Sequence, residues 1–138
     1  MDMLTLERVW EDEDFFELEI TAKTNTVWVK SKFYTTNELI DRLASEIMFL
    51  LKDNRNRFFW ANETRSDGLP PSFSLRVSFE DKLGHIKIDT YVKLDDDAFD
   101  ETHSCSFLIR TEYGALERFG KELFYLTQRG IGFRAELA

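Results

Sequence analysis

Apolar and polar residues alternate most clearly between Phe73 and Leu94. Phe73, Leu75, Val77 and Phe79 alternate with Ser74, Arg76, Ser78 and Glu80; after Asp81-Lys82-Leu83-Gly84 the alternation resumes through Ile86, Ile88, Thr90, Val92 and Leu94. Two period-2 runs joined by a four-residue Asp/Gly turn predict a β-hairpin with one apolar face. Upstream, Phe16, Leu18 and Ile20 alternate with Glu17, Glu19 and Thr21, and Val27, Val29 and Phe33 alternate with Trp28, Lys30, Lys32 and Tyr34. Turn chemistry at Thr24-Asn25 separates these two runs, so they are expected to pair as well. Phe58-Phe59-Trp60 reads as a short buried strand. Cys105, Phe107 and Ile109 give a further one, alternating with Ser104, Ser106, Leu108 and Arg110.

Two segments have helical spacing instead. Leu39, Ile40, Leu43, Ala44, Ile47, Met48 and Leu51 form one apolar stripe, and Leu116, Phe119, Leu123 and Leu126 form another. Thr35-Thr36-Asn37-Glu38 matches a capping box with Thr35 as N-cap, and the first helix is expected to end near Lys52-Asp53-Asn54. Thr111 is the expected cap of the second. Gly120 falls on its stripe, where a missing side chain would let the helix approach the sheet, at about 1 kcal/mol of propensity. The first 14 residues read as a charged lead-in partly pinned by Val9 and Trp10, Asn62 to Pro71 as a loop, Asp95 to Glu101 as an acidic connection, and the end after Arg129-Gly130 as a tail.

The order is strand, strand, helix, strand, strand, strand, helix. Strand runs punctuated by helices predict an α+β two-layer sandwich: an antiparallel sheet of about five strands with two helices packed on one face. At 138 residues the chain fits one domain, 1–138, long enough to bury a core of its own. Its aromatic content of 14% sets it apart from disordered chains despite the charge.

The net charge of −8 argues against nucleic acid as a partner and favours steering toward a basic one. A single cysteine, Cys105, excludes an internal disulfide. Met1-Asp2-Met3-Leu4 does not open a signal peptide, and no apolar run approaches the ~18 residues of a membrane span. These features predict a reducing, cytoplasmic location without membrane contact.

Candidate chemistry is sparse. His103 and Cys105, two apart on a strand, share a face, but a zinc site needs three or four ligands and no third is evident. The apolar neighbours Phe107 and Ile109 make Cys105 a small core residue rather than a nucleophile. Asp95-Asp96-Asp97 lacks the alternation, central Gly and closing Glu of a calcium loop, and neither a P-loop nor a dinucleotide fingerprint occurs. No cofactor is expected. Two surfaces remain. Asp95, Asp96, Asp97, Asp100 and Glu101 form the densest patch of one sign. On the expected outer sheet face, Trp28, Tyr34, Arg76 and Tyr91 lie among Lys30, Lys32, Lys87 and Lys93, an arrangement that could stack and clamp a single-stranded nucleic acid or a small ligand. Glu17, Glu19, Glu80 and Asp89 share that face, and cross-strand ion pairing explains the mixture equally well.

The stretch from Ser72 to Ile88, with its Phe79-Glu80-Asp81-Lys82-Leu83-Gly84-His85-Ile86 turn, resembles the middle of WapI-type immunity proteins. Phe33 to Leu39 is similar to that family's strand leading into a Thr-capped helix. Cys105 to Glu112, followed by Leu116 and Phe119, is similar to its last strand and closing helix. The resemblance runs from about Phe15 to Leu126. It implies a non-catalytic bacterial protein that binds and neutralises a cognate toxin domain, often a nuclease; the charge density of Asp95, Asp96, Asp97, Asp100 and Glu101, not the resemblance, makes them the expected contact. It also implies that His85 closes the hairpin turn rather than performing catalysis.

Overall fold

The computed structural model describes residues 2–53, 55–96 and 101–138, with 95, 96, 101 and 102 as backbone only. In chain order it contains β1 (Met3–Glu11), β2 (Phe16–Lys23), β3 (Trp28–Thr35), α1 (Asn37–Lys52), β4 (Arg57–Ala61), β5 (Phe73–Phe79), β6 (His85–Asp96), β7 (Glu101–Glu112), α2 (Tyr113–Leu126) and β8 (Arg134–Leu137). The fold is α+β, but the strands form two antiparallel sheets of four rather than one of about five: β3-β2-β1-β8 and β4-β5-β6-β7.

The two strands missing from the sequence reading lie side by side. β1 pairs with β2 on one edge and β8 on the other. Leu4 and Leu6 are fully buried in β1, as are Ala135 and Leu137 in β8. β1 is interrupted by a bulge between Arg8 and Trp10, which breaks the period, and β8 is only four residues long beyond a glycine turn. Neither gives an alternation long enough to recognise.

The helices do not roof a single sheet. α1 contacts β4 and α2 contacts β7 and β8, so the pair reaches both sheets, and both helices feed the same buried cluster. They run antiparallel: Lys52 meets Glu117 at one end, and Thr127 donates to Asp41 at the other. Gly120 serves this crossing rather than the sheet. A Cβ built there would lie 3.0 Å from both Ile47 Cγ2 and Met48 Cε of α1. Met48 could swing away; the β-branched Ile47 is stiff. Gly120→Leu should lower stability by about 1–3 kcal/mol in chemical denaturation, overpacking outweighing the propensity gained.

Both helix starts differ from expectation by one residue. Thr36, not Thr35, caps α1, its Oγ1 accepting from Leu39 N at 3.3 Å. Thr35 instead completes β3 opposite Phe16 and faces the core. Thr111 stays in β7 opposite Ile86, and α2 starts after Glu112, which makes no side-chain cap. Two bonds from Tyr113 fix that start: its N–H donates to Gly84 O (3.0 Å) and its hydroxyl to Leu51 O (3.1 Å).

The sheets meet where Phe33 of β3 stacks on Phe73 of β5, ring centroids 4.7 Å apart, and where Ser31 Oγ donates to Lys93 O. Asn62, buried just past β4, adds a polar tie: its Nδ2 donates to Tyr34 O of the first sheet and its Oδ1 accepts from Phe73 N of the second, each at 2.9 Å.

Candidate functional site

The bulge in β1 determines what lies on the outer face of the first sheet. Leu4, Leu6 and Arg8 point inward, so strict alternation would send Trp10 inward too. The extra residue, Val9, shifts the register so that Arg8 pairs with Leu18 but Trp10 pairs with Glu17. Trp10 is thereby turned out, 42% exposed. Across the sheet, Trp10, Glu17 and Tyr34 form one row. Phe15 closes the cluster: its ring centroid lies 5.8 Å from Trp10 and 5.4 Å from Tyr34, and Trp10 lies 6.0 Å from Tyr34, edge-on. Phe15 and Tyr34 are 39% and 53% exposed. Three large aromatics thus share one patch of surface while leaving a good part of each ring in water.

Acidic groups of the adjoining turn and strand surround this patch. Asp12 builds the β1–β2 turn, its Oδ1 accepting from Asp14 N (2.8 Å) and Phe15 N (2.9 Å), which leaves Glu13 and Asp14 exposed at the tip. Glu17 lies within the aromatic row. Its charge, then burial and a hydrogen bond to the same carboxylate, raise the Tyr34 phenol above its ordinary pKa. Beside the rings runs a groove of about 620 Å³, walled by Thr35, Thr36, Leu39, Asn62 and Glu63. Thr35 Oγ1 is buried and has no hydrogen-bond partner. Glu63 accepts from Ser72 N and Oγ and lies 3.5 Å from Arg65 Nη1. Arg65 is held mainly by Asp67, to which it donates from Nε and Nη2, and that carboxylate falls to a pKa of about 2.

Arg8 supports the patch from inside. It is 8% exposed, and its guanidinium carbon lies 4.1 Å from the centroid of the Phe16 ring. Nη1 donates to Leu126 O at the C-terminus of α2 (3.1 Å), where the helix dipole favours a cation. Glu11 Oε2 comes within 2.7 Å of Nε but off the N–H direction, so charge rather than a hydrogen bond couples them.

The expected site residues are placed as follows. Of the acidic patch, Asp97 and Asp100 lie outside the described residues. Asp95, Asp96 and Glu101 belong to strand ends rather than a loop, the backbones of β6 and β7 pairing as far as Asp96 with Glu101. Trp28, Tyr34, Arg76 and Tyr91 do not form one face: the first two are on β3 in one sheet, the others on β5 and β6 in the second. Trp28 and Tyr34 are six residues apart on their strand, about 20 Å. Arg76 lies over the exposed Phe59 ring at 5.6 Å and pairs across the sheet with Asp89. Cys105 is half-buried against the core and His103 is exposed on the same strand. Among the described residues, no three His, Cys, Asp or Glu side chains gather as a metal ion requires.

His85 closes its turn. Asp81 Oδ1 accepts from Leu83 N (2.8 Å) and His85 N (3.3 Å), Asp81 Oδ2 lies 2.6 Å from His85 Nδ1, and Gly84 takes the positive φ of 93° that the tight return needs. The hydrogen bond to Asp81, and next its charge, raise the His85 pKa above 6.5. The His85 hydrogen bond in turn lowers the Asp81 pKa below 3.8. The histidine's contribution to stability is therefore complete below about pH 6.5 and lost as pH rises through its folded value, while the aspartate's is lost as pH falls below its own range. The melting-temperature difference between the parent and His85→Ala should be largest between about pH 4 and 6.5 and shrink toward pH 9. It should stay small throughout, because both groups face water.

A second apolar groove, of about 490 Å³, runs between the helices, with Met48, Phe49, Phe124 and Tyr125 along it. Its rim carries both signs, Lys52, Lys121 and Asp53, and Lys52 is already bound to Glu117 at 3.0 Å. The rim thus favours neither a cationic nor an anionic occupant. The sequence reading missed both grooves. The sign of the first was the pair Trp10 and Phe15 flanking Glu11-Asp12-Glu13-Asp14, and of the second Phe49 and Phe124-Tyr125 lying off the buried stripes.

No helix among the described residues is long and apolar enough to cross a membrane. No family model, no curated protein and no solved structure matches the chain.

Proposed function

We propose that this chain is a non-catalytic, immunity-type protein that binds and neutralises a basic toxin domain in the cytoplasm, with the Trp10–Phe15–Tyr34 patch as its contact face. The observation that carries this reading is the composition of that patch. Interfaces concentrate binding energy in a few Trp, Tyr and Arg anchors surrounded by polar groups. Here two such anchors and a phenylalanine are grouped on the surface beside Glu13, Asp14, Glu17 and Glu63. A negative field around an aromatic centre steers a basic partner in and leaves the rings to hold it. The net charge of −8 works in the same direction at longer range. The resemblance to WapI-type immunity proteins supports the partner class, and the Asp81–His85 turn gives its Gly-His motif a structural role. The contact moves from the acidic connection at Asp95–Glu101 to the aromatic face because, among the described residues, that face joins carboxylates to exposed aromatic anchors.

Survival on co-expression tests the function. Where a toxin domain is found encoded beside this chain, cells producing that domain should grow when the parent chain is present and die when it is absent. Equal killing in both would overturn the proposal.

A further inference from the structure

We propose that the groove beside the aromatic cluster seats one cationic side chain of the partner, an arginine or lysine head, between the rings and Glu63. The inference rests on the protein-binding reading above and names what that face accepts.

Two independent features of the groove agree. The exposed rings of Trp10, Phe15 and Tyr34 present π-faces and edges along one side, and a cation over such a face is attracted by the ring quadrupole. Glu63 lines the groove, and Glu17 lies between Trp10 and Tyr34 in the aromatic row, so carboxylates stand beside the rings. Asn62 on the wall has its side chain spent on Tyr34 O and Phe73 N, so it shapes the groove and offers the occupant little.

The alternatives fit less well. A neutral apolar group would strip water from Glu17 and Glu63 and return nothing. An anion would face both carboxylates. The positive end of the α1 dipole, at Thr36, opposes a cation, but Glu38 in the first turn offsets it. Arg65 approaches Glu63 from one side, yet its two shorter bonds go to Asp67, so it leaves the ring side of the groove open to an incoming charge.

The test uses the free chain and N-ethylguanidinium, with N-ethylurea as the neutral isostere, followed by NMR. The expected result is saturable shifts localised to the Trp10 indole, Phe15 and Tyr34, with a dissociation constant on the order of 10 mM for so small a probe. Trp10→Ala and Glu17→Gln should each weaken it by about two- to fivefold. Both variants should keep the parent's melting temperature, since both side chains lie on the outer face of the sheet. Absent shifts, shifts spread over the surface, or equal shifts with N-ethylurea would overturn the assignment. No toxin enters this experiment. A chain that binds the probe but fails to protect cells keeps the groove and loses the toxin reading; one that protects cells but ignores the probe does the reverse.

Discussion

Replacing Asn62 with leucine should lower stability by about 2–4 kcal/mol and the melting temperature by on the order of 10 °C. The side chain is 1% exposed and joins the two sheets through Tyr34 O and Phe73 N. Leucine has a similar volume, so the loss is not a cavity. It comes from two backbone groups left without partners, Phe73 N buried and Tyr34 O part-buried, the buried one costing about 1–3 kcal/mol and the other less. One lies on the strand that carries Tyr34, and the other on the residue whose ring stacks on Phe33. The change therefore acts at the seam between the sheets and should loosen the groove wall as well. Thermal unfolding followed by circular dichroism measures it. A melting temperature within about 2 °C of the parent would show that the seam does not depend on the Asn62 bonds.

Arg8→Met should cost about 2–3 kcal/mol. Methionine keeps most of the apolar stem over Phe16 but removes the donor to Leu126 O and the charge beside Glu11. The carbonyl at the end of α2 is then buried without a partner, and an opposing cation is lost from the helix terminus. Glu11 is partly solvated, its side chain 38% exposed, so the uncompensated charge costs less than in a fully buried pair. Urea denaturation should give a lower midpoint with an unchanged slope. Amide exchange should rise first at the end of α2 and in the segment around Phe133, whose carbonyl accepts from Arg8 N. A midpoint equal to the parent's would mean that the Arg8 guanidinium is incidental to this packing.

What could be read from the sequence and what could not have a common physical basis. The Phe73–Leu94 hairpin, the β2–β3 pair and both apolar helix stripes were legible because each repeats a single period over seven or more residues. β1 was not, since Val9 breaks its alternation at the point that turns Trp10 outward. The irregularity that hides the strand is the same one that builds the aromatic face. β8 escaped notice because four residues carry too little pattern. Thr35 and Thr36 compete for one cap. The choice falls to Thr36 because Thr35 is held by pairing with Phe16, a contact between elements that local sequence does not encode. Gly120 was recognised as a close-approach position, but its neighbour proved to be α1 rather than the sheet, because nothing in the stripe says which element it faces. Placing Trp28, Tyr34, Arg76 and Tyr91 on one face followed directly from assuming one sheet. The acidic residues before Phe15 were visible as charge. Their setting beside three rings depends on the bulge and on β3 folding back across β2.

Isothermal titration with any basic toxin domain found encoded beside this chain, at low and high salt and with Trp10→Ala, tests most directly whether the aromatic face is where a basic partner docks. Affinity should fall as salt rises, and Trp10→Ala should weaken it by about 2–4 kcal/mol, roughly 30- to 700-fold, without changing the melting temperature appreciably. Tight binding that is indifferent both to salt and to the loss of Trp10 would place the interface elsewhere on the molecule.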